Sequence, residues 1–262
     1  PYTTACLVDG TWSTELDLSA QPDGTVQVYV SQTDAVGNKG EDSKDITKDI
    51  IVPIADFDTL LTKEKSPELT GLVNDATAVV RVEVAGKIYN ADNNGDGTWK
   101  LDAGSIDPEL ADGTYTVSVI VTDTALNKGT YDFTDALAVD ATSPTITINA
   151  PTKISNKNIE DIVITVIDNN EVIAEDVSIN SSSTGGPINL VCTQSGTKRV
   201  NCTVTVTKSG NLIINAVDQV GNNTSKTEDK FIIDKVVPIV TITNENPINS
   251  ANQTSYSLEG TC

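Results

Sequence analysis

The sequence has no histidine and no methionine, and aromatic residues make up only 4% of its 262 residues. Without histidine the chain cannot form a Ser-His-Asp triad, a Cys-His pair or an imidazole metal site. Basic residues are also few, since 17 Lys and Arg oppose 37 Asp and Glu, a net charge of −20. Such a field repels nucleic acid and anionic membranes, and no stretch reaches the roughly 18 apolar residues of a membrane helix. We therefore expect no enzyme, no nucleic-acid partner and no membrane insertion.

An internal repeat organises the chain. The string Asp9-Gly10-Thr11-Trp12 returns 87 residues later as Asp96-Gly97-Thr98-Trp99. A motif that starts with aspartate and ends with asparagine four residues later recurs at spacings of 89 and 95, at Asp34, Asp123 and Asp218. A proline preceded four residues earlier by aspartate recurs at spacings of 91 and 94, at Asp49/Pro53, Asp140/Pro144 and Asp234/Pro238. A period of about 90 residues suits a small sandwich domain better than a solenoid turn.

Each repeat is predicted to be β throughout. In Thr114 to Thr122 apolar residues alternate with Thr and Ser, which is the period of a half-buried strand. The segments from Thr25 to Ser31 and from Leu212 to Val217 follow the same plan. Turn residues separate such runs, so we expect antiparallel sandwiches. Because Trp12 and Trp99 occupy equivalent positions, we expect both to pack in a core or on a sheet face.

The prolines set the expected domain boundaries. Residues 53–143 and 144–237 form two complete units, residues 1–52 match the C-terminal part of a unit, and residues 238–262 match the N-terminal strands of a further one. A sandwich without half its strands exposes its core and unpaired edges. We therefore expect either that the chain is a slice of a longer array, or that neighbouring copies complete each other's sandwiches.

These motifs together resemble the bacterial Ig-like tandem repeats of large surface adhesins, including RTX-type and biofilm-associated proteins. The resemblance implies an all-β chain of tandem immunoglobulin-like β-sandwich domains in an extended rod. It further implies a non-catalytic stalk or spacer outside a bacterial cell, whose partners are neighbouring Ig-like repeats of the same or an adjacent chain. Two alternatives stay open: a self-assembling extracellular fibre subunit completed by neighbouring copies, and a module that binds a glycan or a host protein.

The four cysteines fall into two pairs. Between Cys192 and Cys202 the chain contains a Gln-Ser-Gly-Thr turn, so the two are predicted to face each other across a hairpin as a disulfide, with buried free thiols as the alternative. Cys6 and Cys262 have no partner within their own partial units. In related adhesin repeats, cysteines at the two corresponding positions occur in one domain. The resemblance thus implies that each pairs with a cysteine outside this segment, or that the two join across copies.

Calcium is a candidate cofactor at two kinds of place. Asp92, Asn94 and Asp96 match positions one, three and five of a calcium loop, but Ala103 stands where a bidentate glutamate is expected, and a plain hairpin turn is the alternative. In RTX adhesin repeats calcium at the joints between domains stiffens the stalk. The resemblance therefore implies that calcium binds the aspartates before the prolines, which are Asp49, Asp140 and Asp234. The aspartates of the recurring hairpin are further candidate ligands: Asp34, Asp123 and Asp218. The alternative is that each of these aspartates only caps its own turn.

Overall fold

A computed structural model describes residues 3–7, 9–150, 152–169, 176–181, 189–243, 247–249, 251 and 253–262. The regular elements in these ranges are strands, numbered β1 to β19 in chain order. The expectation of an all-β fold is confirmed. Within the same ranges no helix is long and apolar enough to cross a bilayer. By contacts the chain divides into two units, Pro1–Leu60 with Ser66–Ala138 and Leu61–Lys65 with Val139–Cys262.

The first unit begins with an antiparallel hairpin of β1 (Gly24–Thr33) and β2 (Lys39–Lys48). A seven-stranded sheet follows in the order β3-β9-β8-β5-β6-β7-β4, and its strands β3 and β9 cross the division between the units. The strands of this sheet are β3 (Leu60–Thr62), β4 (Leu69–Leu72), β5 (Val79–Val84), β6 (Lys87–Asn93), β7 (Thr98–Leu101), β8 (Gly113–Thr122) and β9 (Lys128–Val139).

A tryptophan of β7 belongs to the buried core of this sheet. Trp99 is fully buried, stacks on Phe57 with 6.3 Å between ring centroids, and donates its indole N–H to the Asp56 carbonyl at 2.8 Å. The ring fits because the residue opposite it on β4 is Gly71, where a Cβ would lie 2.7 Å from Trp99 Nε1. The alternation of β8 adds Val117, Val119 and Val121, all fully buried.

The second unit contains two four-stranded sheets that share one core. Their strand orders are β10-β12-β15-β14 and β11-β17-β16-β13. Apolar residues of β12 and β16, such as Ile164 and Ile214, belong to the same buried cluster, which is what a sandwich requires. The strands are β10 (Thr145–Asn149), β11 (Ile154–Ser155), β12 (Ile159–Ile167), β13 (Val177–Ser181), β14 (Asn189–Gln194), β15 (Arg199–Val206), β16 (Gly210–Val217) and β17 (Asn223–Ile233).

Two further features complete the second unit. Cys192 of β14 lies directly opposite Cys202 of β15, and the structure joins them in a disulfide. Near the C-terminus, β18 (Thr241–Ile242) pairs antiparallel with β19 (Gly260–Thr261).

Candidate functional site

The recurring Asp-to-Asn motif forms a closed turn after a long strand. Asp123 follows β8, and its Oδ1 accepts the backbone N–H of Asn127 at 2.8 Å while Asn127 Nδ2 donates to its Oδ2 at 2.7 Å. Asp218 and Asn222 repeat these two bonds after β16 at 2.8 and 2.7 Å. An aspartate that bonds the backbone ahead of it fixes a tight turn without help from other elements.

The same turn closes the β1–β2 hairpin. Asp34 Oδ1 accepts the Asn38 N–H, and Asn38 Nδ2 donates to Asp34 Oδ2, both at 2.8 Å. The residue before asparagine is left-handed, with φ of 97° at Gly37 and 71° at Leu126. Leu126 thus has a backbone conformation that glycine adopts more easily than leucine. The hydrogen bonds between Asp123 and Asn127 hold it there by fixing the turn.

In two of these turns the bonds favour the ionised form of the aspartate. The Asn127 amide lowers the pKa of Asp123 below its ordinary value, against the opposing effect of burial. In the exposed hairpin the Asn38 amide lowers the pKa of Asp34 in the same way. Both carboxylates thus stay negatively charged well below neutral pH and can serve as metal ligands through their oxygens.

In both units the asparagine of the turn also reaches the segment before the proline. Asn127 Nδ2 donates to the Asp49 carbonyl at 3.1 Å, and Asn222 Nδ2 donates to the Asp140 carbonyl at 2.8 Å. Asp49 and Asp140 are the aspartates that precede Pro53 and Pro144 by four residues. The last residues of one repeat are therefore bonded to a hairpin of the next, about 80 residues later in each case (78 and 82). We call this arrangement a joint.

Neutral groups complete the joint of the first unit. The Tyr131 hydroxyl donates to the Pro53 carbonyl at 2.9 Å, and Asn74 Oδ1 accepts the Ile54 N–H at 2.7 Å. The segment from Asp49 to Ile54 is the linker of this unit. Gly129 lets the linker approach the sheet, since a Cβ at Gly129 would lie 2.6 Å from the Pro53 oxygen. These hydrogen bonds and the close approach at Gly129 hold the linker against the sheet.

Carboxylates meet at the joint of the second unit. Asp140 lies in the linker, Asp168 follows β12, and Asp218 opens the turn after β16; they are 2%, 5% and 3% exposed. One carboxylate oxygen from each lies within 4.8 Å of the others, and no other such acidic group occurs in the described part of the chain. Sequence reasoning named Asp140 and Asp218 but missed Asp168. The available signal was an acidic residue directly after a long strand with one buried apolar face.

This oxygen set fits a hard divalent cation. Calcium takes six to eight oxygen ligands at about 2.3–2.6 Å, so its ligands lie within roughly 5 Å of one another. Three buried carboxylates that face each other repel and lose hydration, a cost that a bound cation offsets. With oxygen donors and no thiolate or imidazole, the donor set favours calcium over zinc or copper. The residues present therefore fit a calcium ion.

The other predicted joint ligands act as turn caps. Asp49 Oδ1 accepts the Ile51 N–H at 3.0 Å, and exposed Asp234 accepts the Val236 N–H at 2.9 Å. Asp34 is exposed in the β1–β2 turn. Calcium at these three positions, and at Asp123 in the turn after β8, stays a prediction.

The loop of Asp92, Asn94 and Asp96 is an exposed hairpin turn. Asp96 Oδ1 accepts both the backbone N–H and the hydroxyl of Thr98, at 3.0 and 2.6 Å, and Asn94 Nδ2 donates to the Thr98 hydroxyl at 2.8 Å. The Thr98 hydroxyl lowers the pKa of Asp96. The geometry matches the turn alternative, and calcium binding by this loop also stays a prediction.

The remaining cysteines are exposed free thiols. Cys6 Sγ lies 3.8 Å from Gln32 Oε1 on β1, and Cys262 follows β19. Their pairing outside this segment or across copies stays a prediction.

Two sequence families match the chain, a bacterial Ig-like domain over residues 55–141 and a bacterial Ig-like domain of group 3 over residues 105–203. No curated protein matches. Among solved structures, the chain is similar to a tetra-tandem repeat from the extending region of a large adhesion protein, with 21% identity, a TM-score of 0.34 and coverage of 93% of this chain and 65% of that one.

Two further similar structures come from ice-binding adhesins. One is a Ca²⁺-stabilised adhesin of an Antarctic bacterium, with 16% identity, a TM-score of 0.39 and coverage of 90% of this chain and 63% of that one. The other is from a 1.5-MDa bacterial adhesin, with 19% identity, a TM-score of 0.39 and coverage of 83% and 77%. The chain therefore spans less than two thirds of the first two of these structures.

Proposed function

Residues 55–203 of this chain belong to the bacterial Ig-like domain families, and on that premise we propose that the chain is a stalk or spacer segment of a bacterial cell-surface adhesin. In this role it is extracellular and non-catalytic, and its partners are neighbouring Ig-like repeats. The observation that supports the proposal is the repeated joint, in which Asn127 and Asn222 each donate to the carbonyl of the aspartate before the linker proline. Because the same contact recurs at successive repeats, the stalk can be lengthened by adding repeats that use the same joint.

The joint bonds give the linker a mechanical role. A linker without contacts would act as a flexible coil and transmit no bending force. Each hydrogen bond to a linker carbonyl contributes about 1 kcal/mol, and more where breaking it leaves a buried partner unsatisfied. The first unit uses the Asn127, Tyr131 and Asn74 side chains for this purpose. Together these bonds oppose local opening of the linker.

At the second joint we assign calcium binding to Asp140, Asp168 and Asp218. Asp140 belongs to the linker, whereas Asp168 and Asp218 belong to strand ends of the sandwich that follows. A bound ion supplies two positive charges that relieve repulsion among the three carboxylates. The Asn222 bonds already hold Asp218 and the Asp140 carbonyl in place, which orients both residues for a shared cation.

Small-angle scattering of the full chain with calcium and with EDTA tests both parts of the proposal. A compact protein of 262 residues would have a radius of gyration of about 18 Å. A stalk predicts a clearly larger value with calcium and a broader distance distribution with EDTA. A radius near the compact value would refute the spacer role.

Thermal unfolding separates the metal site from the stalk role. At a calcium concentration one hundred times the dissociation constant, binding adds about 2.7 kcal/mol to the stability of the second unit. Asp168→Asn should abolish this calcium-dependent rise, while Asp234→Asn, which alters an exposed cap, should retain it. An equal calcium response in wild type and Asp168→Asn would refute the assigned site and leave the spacer role standing.

A further inference from the structure

The chain enters and leaves the second unit near opposite ends of one strand. At the entry, the Asp140 carbonyl accepts a bond from Asn222, the residue directly before β17. From Asn223 to Ile233, β17 contains 11 residues. At about 3.3 Å per residue, the exit therefore lies roughly 35 Å from the joint. Tension applied through the chain thus acts along the strands of this unit.

Two strands hold the incoming chain on the entry side. Five residues of β10, from Thr145 to Asn149, pair antiparallel with β12 in one sheet. Two residues of β11, Ile154 and Ser155, pair in parallel with β17 in the other sheet. The hydrogen bonds of an antiparallel pair run perpendicular to the strands, so a pull along β10 loads all its bonds together. Strands that are peeled apart from one end instead lose their bonds one at a time.

The side chains of β10 add to this resistance. Ile146 is 3% exposed and belongs to the buried core, and Ile148 packs against the same core. In contrast, Ile154 of β11 is 68% exposed. Sliding β10 out of its place brings buried apolar surface into water, which is unfavourable in proportion to the area exposed. The contact of β10 is therefore the stronger of the two on the entry side.

A lysine ties β10 directly to the strand that leads to the exit. Lys226 belongs to β17 in the opposite sheet, and its Nζ donates to the Ile146 carbonyl of β10 at 3.0 Å. β17 is itself paired with seven residues of β16, between Gly210 and Val217. Because this ladder is longer than that of β10 and β12, tension should separate β10 before it separates β17.

We propose that β10 is the strand that bears tension in the second unit, sheared as a whole against β12 and held to β17 by Lys226. The proposal rests on the spacer role, since a stalk transmits force along its length. Once β10 slides, the two paired residues of β11 are too few to hold the load, and the unit unfolds. The bonds and burial of β10 thus set the rate of forced unfolding.

Single-molecule stretching of the full chain tests this assignment. Handles coupled by maleimide to the exposed thiols of Cys6 and Cys262 apply the force. The Cys192–Cys202 disulfide shields 10 residues from extension, each of which adds about 3.3–3.6 Å when released. The step of the second unit is therefore the one that reductant lengthens, by about 3 nm. At constant force, the waiting time before this step gives the unfolding rate.

Two matched core variants locate the barrier. Ile146→Val and Ile214→Val each remove one methylene group from side chains that are 3% and 0% exposed, so both should lower the stability measured in urea. Because β10 separates first, Ile146→Val should raise the forced unfolding rate roughly two- to tenfold. Ile214→Val should leave it nearly unchanged, since the contacts of β16 persist at the barrier. Equal acceleration by both variants, or none by Ile146→Val, overturns the proposal.

The lysine is tested by a second matched pair. Lys226→Met removes the bond to the Ile146 carbonyl and should raise the rate about tenfold, the effect of losing a hydrogen bond from a charged group. Lys157→Met removes the same charge from an exposed position and should leave the rate unchanged. Lower urea stability of Lys226→Met without faster forced unfolding would refute the role of this lysine under tension. Small-angle scattering, which none of these substitutions should alter, decides the spacer role separately.

Discussion

Gly129→Ala perturbs the joint of the first unit without touching its hairpin bonds. The added Cβ would lie 2.6 Å from the Pro53 oxygen and 2.8 Å from Tyr131 Cε2, and ordinary contact begins at 3.4 Å. The linker carbonyl must therefore move by roughly 1 Å, and the bond from the Tyr131 hydroxyl to that carbonyl, 2.9 Å long, is strained or lost. Overpacking lowers the stability of the closed joint by about 1–3 kcal/mol, and loss of the hydrogen bond lowers it by about 1 kcal/mol more.

Hydrogen exchange at the linker measures this effect directly. The Ile54 N–H is bonded to Asn74 Oδ1 and is protected only while the joint is closed. A loss of about 2–4 kcal/mol should speed its exchange roughly 30- to 1,000-fold, provided that exchange proceeds by opening of the joint. Amides of the β5–β8 pair should change far less, because their bonds lie in the sheet core.

The preceding repeat supplies the control. Gly40 follows Asn38 by two residues, as Gly129 follows Asn127, but a Cβ at Gly40 meets nothing within 4 Å. Gly40→Ala changes the unfolded chain in the same way and should alter stability by no more than about 0.5 kcal/mol. If both variants leave Ile54 exchange at the wild-type rate, the reasoning on joint packing is wrong.

Three further changes test individual bonds. Trp99→Phe removes the indole donor from a buried carbonyl and should cost about 1–3 kcal/mol in urea unfolding followed by circular dichroism; a neutral result would mean that the carbonyl finds another donor. Because Asn127 lowers the pKa of Asp123, this carboxylate adds stability that is fully present above the unfolded-state pKa of about 3.9 and is lost as pH falls through the lower folded-state pKa. The Asp123→Asn variant should lose that part of the acid sensitivity in a pH series of unfolding free energies, and an unchanged pH profile would contradict the assignment. Reduction of Cys192–Cys202, whose residues are 10 apart, should lower the stability of the second unit by at most about 3 kcal/mol and leave the first unit's melting unchanged; a shift of both would contradict this.

The strands were predictable where one face is apolar. The expected run from Thr114 to Thr122 is β8, and the repeat landmarks identified equivalent turns in all three copies. In contrast, β2 has exposed polar residues along nearly its whole length and shows no alternation. It is a strand because the Asp34 turn aligns it with β1, residue for residue from Gly24 opposite Lys48. Its conformation is thus set by a partner strand rather than by its own pattern.

Trp12 shows a second limit of sequence reasoning. Equivalence with Trp99 predicted packing in a core or on a sheet face, but Trp12 is 47% exposed. A repeat position fixes which contacts a side chain can make, whereas burial requires that the partner strand be present beside it. The glycine that faces Trp99 is Gly71 of β4, and the carbonyl that accepts its indole N–H belongs to Asp56, 43 residues earlier in the chain.

The joints show why the metal site was only half predictable. The bond from the turn asparagine to the linker carbonyl recurs at both joints. The residue four positions after the asparagine differs in its partner: Tyr131 donates to the Pro53 carbonyl at 2.9 Å, and Lys226 donates to the Ile146 carbonyl of β10 at 3.0 Å. This backbone frame follows from the repeat, so sequence reasoning could place Asp140 beside Asp218. Asp168 comes from a strand end 28 residues after Asp140, and only the pairing of β10 with β12 brings it to the linker. The repeated frame therefore sets where a joint forms, and the side chains added at each copy decide whether it is closed by neutral hydrogen bonds or by carboxylates that favour a cation.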